Sequence, residues 1–147
     1  LADCSVEENI AFGVAPQDID HERVRQAAQR AQLSDVIEAM PQGYKTFVGE
    51  RGVRLSGGQR QRIGIARALY KRACVIVFDE ATSALDNNTE AEVMAAVQAI
   101  DTDVTILMIA HRLTTLANCT RIVELERGQI KRVGSYVEIV QGRKHEQ

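Results

Sequence analysis

Leu55-Ser56-Gly57-Gly58-Gln59, Val75-Ile76-Val77-Phe78-Asp79-Glu80 and Ser83-Ala84-Leu85-Asp86 are the three pieces of residues 55–86 that decide how the chain is read. In the first, Ser56 followed three residues later by Gln59 fits a capping box at the start of a helix. A helix N-terminus carries unpaired N–H groups and a partial positive charge. Two glycines let an anion approach that backbone with no Cβ in the way. Capping alone would also account for Ser56, and both roles stand open. The second piece is an apolar run with β-branched residues that ends in two adjacent carboxylates. Open α/β sheets bind their ligands beyond such strand ends. One acid can hold a divalent cation through water while its neighbour orients or deprotonates an attacking water. A pair of exposed acids at a strand end is the plainer alternative. In the third piece, Asp86 is placed to cap the next helix.

Outward from this stretch, composition bounds the answer. The chain has 147 residues, 45% of them hydrophobic, which suits one domain with its own core. A net charge of −2 argues against a general nucleic-acid binder. No apolar run reaches the roughly eighteen residues of a membrane span, and no signal peptide is present. Cys4, Cys74 and Cys119 are widely spaced and include no Cys-x-x-Cys pair, so they read as free thiols of a reducing compartment.

Residues 7–13 read as the end of a short helix closed by Gly13. Asp20 is placed to cap a helix reaching about Gln32, with Val24, Ala27, Ala28 and Ala31 as its apolar stripe. Ser34 reads as a second cap, with a helix to Met40 stopped by Pro41-Gln42-Gly43. In the central helix that Ser56 starts, Ile63, Ile65, Ala66 and Leu69 form the apolar side, and Arg60, Arg67 and Lys71 gather opposite. Arg62 falls inside the apolar band. The expectation is a buried pair with a carboxylate, with snorkelling to solvent as the alternative. Residues 74–78 are a continuous apolar run, read as a parallel strand covered on both faces, and residues 104–109 read as a second buried strand. Between them, Asp86 caps a helix to about Ile100 with Val93, Ala96 and Val97 inward. Residues 113–117 form a short helix. Residues 121–126 and 129–133 pair as a hairpin through Arg127-Gly128. Ser135 and Glu138 make another capping box, and residues 141–147 are a polar, frayed tail. The expected organisation is a mainly helical part over 1–72, a sheet-bearing core part over 73–141, and a tail over 142–147.

These segments, in this order, resemble the signature, Walker B and D-loop segments of ATP-binding cassette (ABC) ATPases. Ser56-Gly57-Gly58-Gln59 is specific to that pattern because it continues through Arg60-Gln61-Arg62-Ile63-Gly64-Ile65-Ala66-Arg67-Ala68-Leu69. The resemblance implies an α/β, P-loop NTPase-like fold with a helical subdomain, parallel core strands and a C-terminal hairpin. It implies ATP and Mg²⁺ as cofactors, with Asp79 on the metal and Glu80 as general base. His111 stands after Ile106-Leu107-Met108-Ile109-Ala110 and before Arg112-Leu113-Thr114-Thr115, where the family keeps its switch histidine on the γ-phosphate and the attacking water. A lone histidine is more often structural; this placement reverses that expectation. Ser56, Gly57, Gly58 and Gln59 would bind the ATP of an opposing domain, and Asp86 would be the D-loop acid that crosses to it. The implied partners are a second ATP-binding domain and a transmembrane domain, with no nucleic acid.

Residues 46–52 and 7–13 look like exporter segments, the former lying near the membrane domain's coupling helices in the family. That points to the cytoplasmic face of the cell's inner membrane. Two residues depart from the family's habit: Phe47, where an acid is commoner, and Cys74, where Pro or Asp is usual. The Gly-x-x-x-x-Gly-Lys-Ser/Thr phosphate loop does not occur in the sequence. Gln17 follows the Glu8-Asn9-Ile10-Ala11-Phe12-Gly13 piece, whereas the family's Q-loop glutamine precedes it. The expectation is therefore a C-terminal fragment of an exporter-type ATP-binding domain, with an unpaired sheet edge. The alternatives are an ABC ATPase of DNA repair or translation, and a truncated domain that only binds a partner subunit. Without the loop that cradles β- and γ-phosphates, the 147-residue chain is expected to bind Mg-ATP weakly or not at all. Nucleotide titration checks this, and micromolar affinity with turnover would overturn it.

Overall fold

A computed structural model describes residues 1–79, 86–100, 103–109 and 113–141. Its α/β architecture is built around one helix, α4 (Gly57–Tyr70), which lies against α1 (Val6–Ile10), α2 (His21–Arg30) and α5 (Asn87–Gln98). A single apolar cluster runs from Val6 and Ile10 through Val24, Ala28, Ile63 and Ile65 to Phe78, Val93 and Val97. The helical part therefore shares one core with the strand residues Ile76 and Phe78, and Ile106 and Met108 pack against it.

The start of the chain is anchored at Ser5. Ser5 caps α1: its hydroxyl accepts from the Glu8 amide at 3.2 Å, and the Glu8 carboxylate accepts from the Ser5 amide at 2.9 Å. This is a capping box that the Ser5/Glu8 spacing already carried. Backbone bonds from Val6 to Thr46 and from Val48 to Cys4 tie this turn to residues 46–48. Asp20 caps α2 through the Arg23 amide, and Val24, Ala27, Ala28 and Ala31 are buried as their spacing predicts.

The reading of Ser34 as a cap fails. α3 (Ser34–Glu38) has Leu33 at its N-cap position, with no side-chain cap bond. The reason is local. Gln32 turns α2 off with a positive φ of 54°, the Leu33 amide returns to the Ala28 carbonyl, and the chain enters α3 at once. Leu33 is buried, so core packing rather than capping sets that junction.

On α4, Ile63, Ile65, Ala66 and Leu69 are buried as expected. Arg67 does not stand with the exposed charges. Its Nε donates to the Asn9 carbonyl at 2.8 Å, its guanidinium lies 4.6 Å from the Phe12 ring centroid, and burial lowers its pKa. Arg62 is buried and paired, but its partner is not. Its Nη2 meets Glu92 at 2.9 Å, where the side chains are 9% and 57% exposed respectively. Its Nη1 donates to the Gln32 carbonyl at the end of α2, also at 2.9 Å. One guanidinium thus links α4 to both α2 and α5.

The strands β1 (Val75–Asp79) and β2 (Thr105–Ile109) pair in parallel, with Val75 opposite Thr105 and Asp79 opposite Ile109. Their expected burial on both faces is not met. Ile76 and Phe78 are buried, while Val77 is 58% and Leu107 53% exposed. α5 covers one face, where Phe78, Val93, Val97 and Met108 meet. Among the described residues nothing packs on the other.

The hairpin of β3 (Ile122–Glu126) and β4 (Gln129–Gly134) forms a second two-stranded sheet. Arg127 and Gly128 both have positive φ, 51° and 77°, as a two-residue turn matched to strand twist requires. Glu124 and Arg132 are cross-strand partners and form an ion pair at 2.8 Å. The Ser135–Glu138 capping box is present and leads into a π-helical turn, Val137–Gln141.

The two partners of Arg62 are separable by mutation. A charged donor on a partly buried carbonyl is worth about 1.5–3 kcal/mol, whereas a pair with an exposed carboxylate is worth at most about 1 kcal/mol. Urea unfolding should show Arg62→Leu losing the larger amount and Glu92→Gln the smaller. Equal losses would mean that the ion pair, not the link to α2, is what matters.

Candidate functional site

The site residues fall into two groups, each placed by a terminus of an element. The first group sits at the N-terminus of α4. Ser56 is exposed and extended at φ −65° and ψ 163°, and its hydroxyl accepts from the Gln59 amide at 3.1 Å. The Gln59 side chain reaches back to accept from the Ser56 amide at 2.9 Å. The capping reading is thus met in full, and the anion reading survives beside it. Gln59 N–H is used by the cap and Arg60 N–H by the Ser56 carbonyl. That leaves the Gly57 and Gly58 amides as first-turn donors with no hydrogen bond among the described residues. No acidic side chain stands in this turn to compete for them.

Asp86 joins this first group through α5. Its carboxylate accepts from the Asn88 amide at 3.1 Å, the Thr89 amide at 3.0 Å and the Thr89 hydroxyl at 2.6 Å. α4 and α5 meet near their N-terminal ends. A Cβ added to Gly58 would overlap Cγ2 of Thr89, and Arg62 meets Glu92 one turn further along both helices. Gly58 is buried, half-buried Gly57 precedes it, and Ser56 is exposed. The close approach therefore gives Gly58 a structural reason to lack a side chain, independent of any ligand.

The second group lies at the C-terminal end of the parallel sheet. Asp79 is the last residue of β1 and is exposed. Its register partner Ile109 is the last residue of β2. Both strands end side by side at one edge, the edge at which α/β sheets place their ligands. Glu80 directly follows Asp79, and His111 follows Ile109 by two residues; both lie outside the described residues. Beyond β2, Thr115 is buried and its hydroxyl donates to Glu90 of α5 at 2.8 Å. That bond fastens the segment after His111 to the helix that Asp86 caps.

The two groups are distinct. Residues 56–59 and Asp86 converge where α4 and α5 touch, and Asp79 belongs to the strand ends. The sequence missed Thr89, Glu90 and Thr115, the side chains that tie α5 to Gly58 and to the segment after His111. Of these, only Thr89 carried a signal, as the third residue after a capping Asp. No cluster of three or more His, Cys, Asp or Glu residues suited to a metal occurs among the described residues. Asp79 alone offers one carboxylate, which fits an ion that takes most of its ligands from water and phosphate, as Mg²⁺ does.

Comparison with known proteins adds family and context. The ABC transporter family model matches residues 3–83. The chain is 47% identical over 137 residues to the ATP-dependent lipid A-core flippase of Cupriavidus metallidurans, covering 92% of this chain and 23% of the relative. It is 48% identical over 137 residues to the ABC transporter ATM1 of Toxoplasma gondii, covering 93% of this chain and 12% of that one. Among solved structures, a bacterial Atm1-family ABC exporter with ATP bound superposes with a TM-score of 0.82 at 39% identity, over 97% of this chain and 25% of that chain. The chain thus spans a quarter or less of the length of these relatives.

The cap at Asp86 makes a pH-dependent prediction. The bonds from the Thr89 hydroxyl and amide hold its carboxyl below the usual aspartate range. A folded pKa below the unfolded one stabilises above the unfolded value, about 4, and that contribution disappears as pH falls through the folded value. Asp86→Asn keeps an efficient cap but does not titrate. The urea midpoint of the wild type relative to Asp86→Asn should be highest above about pH 4 and decline below it. A constant difference would show that the Asp86 charge does not support α5.

Proposed function

The chain belongs to the ABC transporter family, and on that premise we propose that it is the signature-bearing part of an exporter ATPase, coupling ATP hydrolysis to transport across a membrane. The observation that carries this reading is the register of the parallel pair. It ends β1 at Asp79 beside the end of β2 at Ile109, so that the chain enters Glu80 and residues 110–111 from one sheet edge.

In this reading ATP closes two such domains around bound nucleotide. The Ser56 hydroxyl and the Gly57 and Gly58 amides receive the γ-phosphate held by the opposing domain, using the positive end of α4. Gln59 fixes the turn by its bond to the Ser56 amide. Asp79 would hold Mg²⁺, which neutralises charge developing on the phosphates. Glu80 takes the proton of the attacking water, and His111 positions the water and the γ-phosphate. Asp86 reaches toward the opposing domain while it caps α5.

The apolar face bearing Val77 and Leu107 supports a place inside a longer polypeptide, because parallel sheets are ordinarily covered on both sides. The lengths of the relatives support the same placement. No described helix is long and apolar enough to cross a membrane. The proposed partners are a second ATP-binding domain and the transporter's transmembrane domain, with this chain at the cytoplasmic face of the inner membrane. The same ATP-driven engine would serve a lipid A-core flippase or an Atm1-type exporter, the cargo being chosen in the membrane domain.

Glu80→Gln in the full-length protein tests the base assignment. It should abolish most turnover while leaving ATP binding, and so accumulate a closed, ATP-bound dimer visible by size-exclusion chromatography. Unchanged turnover would remove Glu80 from the role of base.

A further inference from the structure

We infer that Thr89 is a positioning residue that locks the signature turn to the Asp86 cap, so that residues 56–58 and Asp86 move as one unit. The inference deepens the proposed ATPase function and rests on it.

Its two halves are carried by different atoms of one side chain. The Thr89 hydroxyl donates to Asp86 at 2.6 Å, and the Thr89 amide donates to the other carboxylate oxygen at 3.0 Å. The methyl carbon Cγ2 occupies the space into which a Gly58 Cβ would project. No flexible side chain separates the two helices there: backbone at Gly58 rests on a β-branched group whose χ1 has few choices. A displacement of α5 at its first turn is therefore transmitted to the Gly58 backbone without slack. Arg62 and Glu92 repeat the link one turn on, through long side chains at 2.9 Å. That second contact resists rotation of one helix against the other.

The consequence is mechanical. Asp86 and the Gly57 and Gly58 donors are both proposed to face the opposing domain. Their relative position decides whether they engage it together, and well-placed groups contribute to the rate only while held in the productive geometry. Thr89 also sits beside Glu90, which accepts from Thr115 in the segment after His111. The first turn of α5 therefore touches both the signature turn and the segment after His111.

Serine and valine separate the two roles. Thr89→Ser keeps the hydroxyl and removes Cγ2, whereas Thr89→Val keeps the methyl bulk and removes the hydroxyl. The first arm is a double-mutant cycle on the 147-residue chain, read by urea unfolding. Gly58→Ala should lower the folded-to-unfolded ratio about 10- to 100-fold by overpacking. Adding Thr89→Ser should recover most of that loss, so that the double variant is more stable than Gly58→Ala alone. Independent, additive losses would overturn the inference.

The second arm is ATP turnover of the full-length protein. Thr89→Val should lower kcat about tenfold with KM for ATP within about twofold, and Thr89→Ser should fall less. A residue that only caps α5 would lose stability without this split between kcat and KM, and that result would also overturn the inference. Absence of turnover in the wild type would sink the proposed function instead, while the unfolding cycle would still report whether Gly58 and Thr89 are coupled.

Discussion

Burial of α4 is the interaction on which the rest depends. One helix must present Ile63, Ile65, Ala66 and Leu69 to α1, α2 and α5 and still leave Ser56 at its start exposed. The hydrophobic term fixes its axis, at roughly 25 cal/mol for each Å² of apolar surface removed from water. The capping box of Ser56 and Gln59 fixes its start. A buried body with a capped start, whose Gly57 and Gly58 amides have no hydrogen bond among the described residues, suits the proposed phosphate-facing turn, because the donors must be held in place before the anion arrives.

Polar ties then set orientation where apolar packing is indifferent to it. Arg62 joins the Gln32 carbonyl and Glu92, and Arg67 joins the Asn9 carbonyl and the Phe12 ring. Both are charges on a helix that packs on several sides, and both spend their donors on neighbouring elements. Their guanidiniums bridge distances that aliphatic side chains cannot, and their directed bonds specify which neighbour sits where. The Arg62 Nε finds no hydrogen-bond partner among the described residues, so this specificity carries a desolvation cost.

The strands show the opposite economy. β1 and β2 are almost wholly apolar, yet one face, with Val75, Val77, Leu107 and Ile109, is open. The hairpin likewise exposes Val123 and Leu125 across from Val133 and Ile130. Apolar sequence in a parallel strand expresses what the strand can be buried against; how much is covered depends on which elements arrive.

Periodicity and turn chemistry in the sequence were enough for the α/β class, the order of elements, the capped helices at Asp20, Ser56 and Asp86, and the hairpin through Arg127 and Gly128. These are local properties, encoded within a few residues of where they act. The capping box of the signature turn and the strand ending at Asp79 were legible for the same reason, since each is contiguous in sequence. Sequence did not tie Arg67 to Asn9 and Phe12, did not show that Leu33 rather than Ser34 occupies the cap position of α3, and mistook one-sided strands for two-sided ones. Each of those depends on a partner far along the chain: Asn9 for Arg67, the core for Leu33, the missing cover for Val77. The contact between Gly58 and Thr89 belongs with them. The sequence determined that residue 58 is a glycine at a helix start, and only the packing of α4 on α5 decided that its lack of a side chain is the surface against which the Asp86 cap is set.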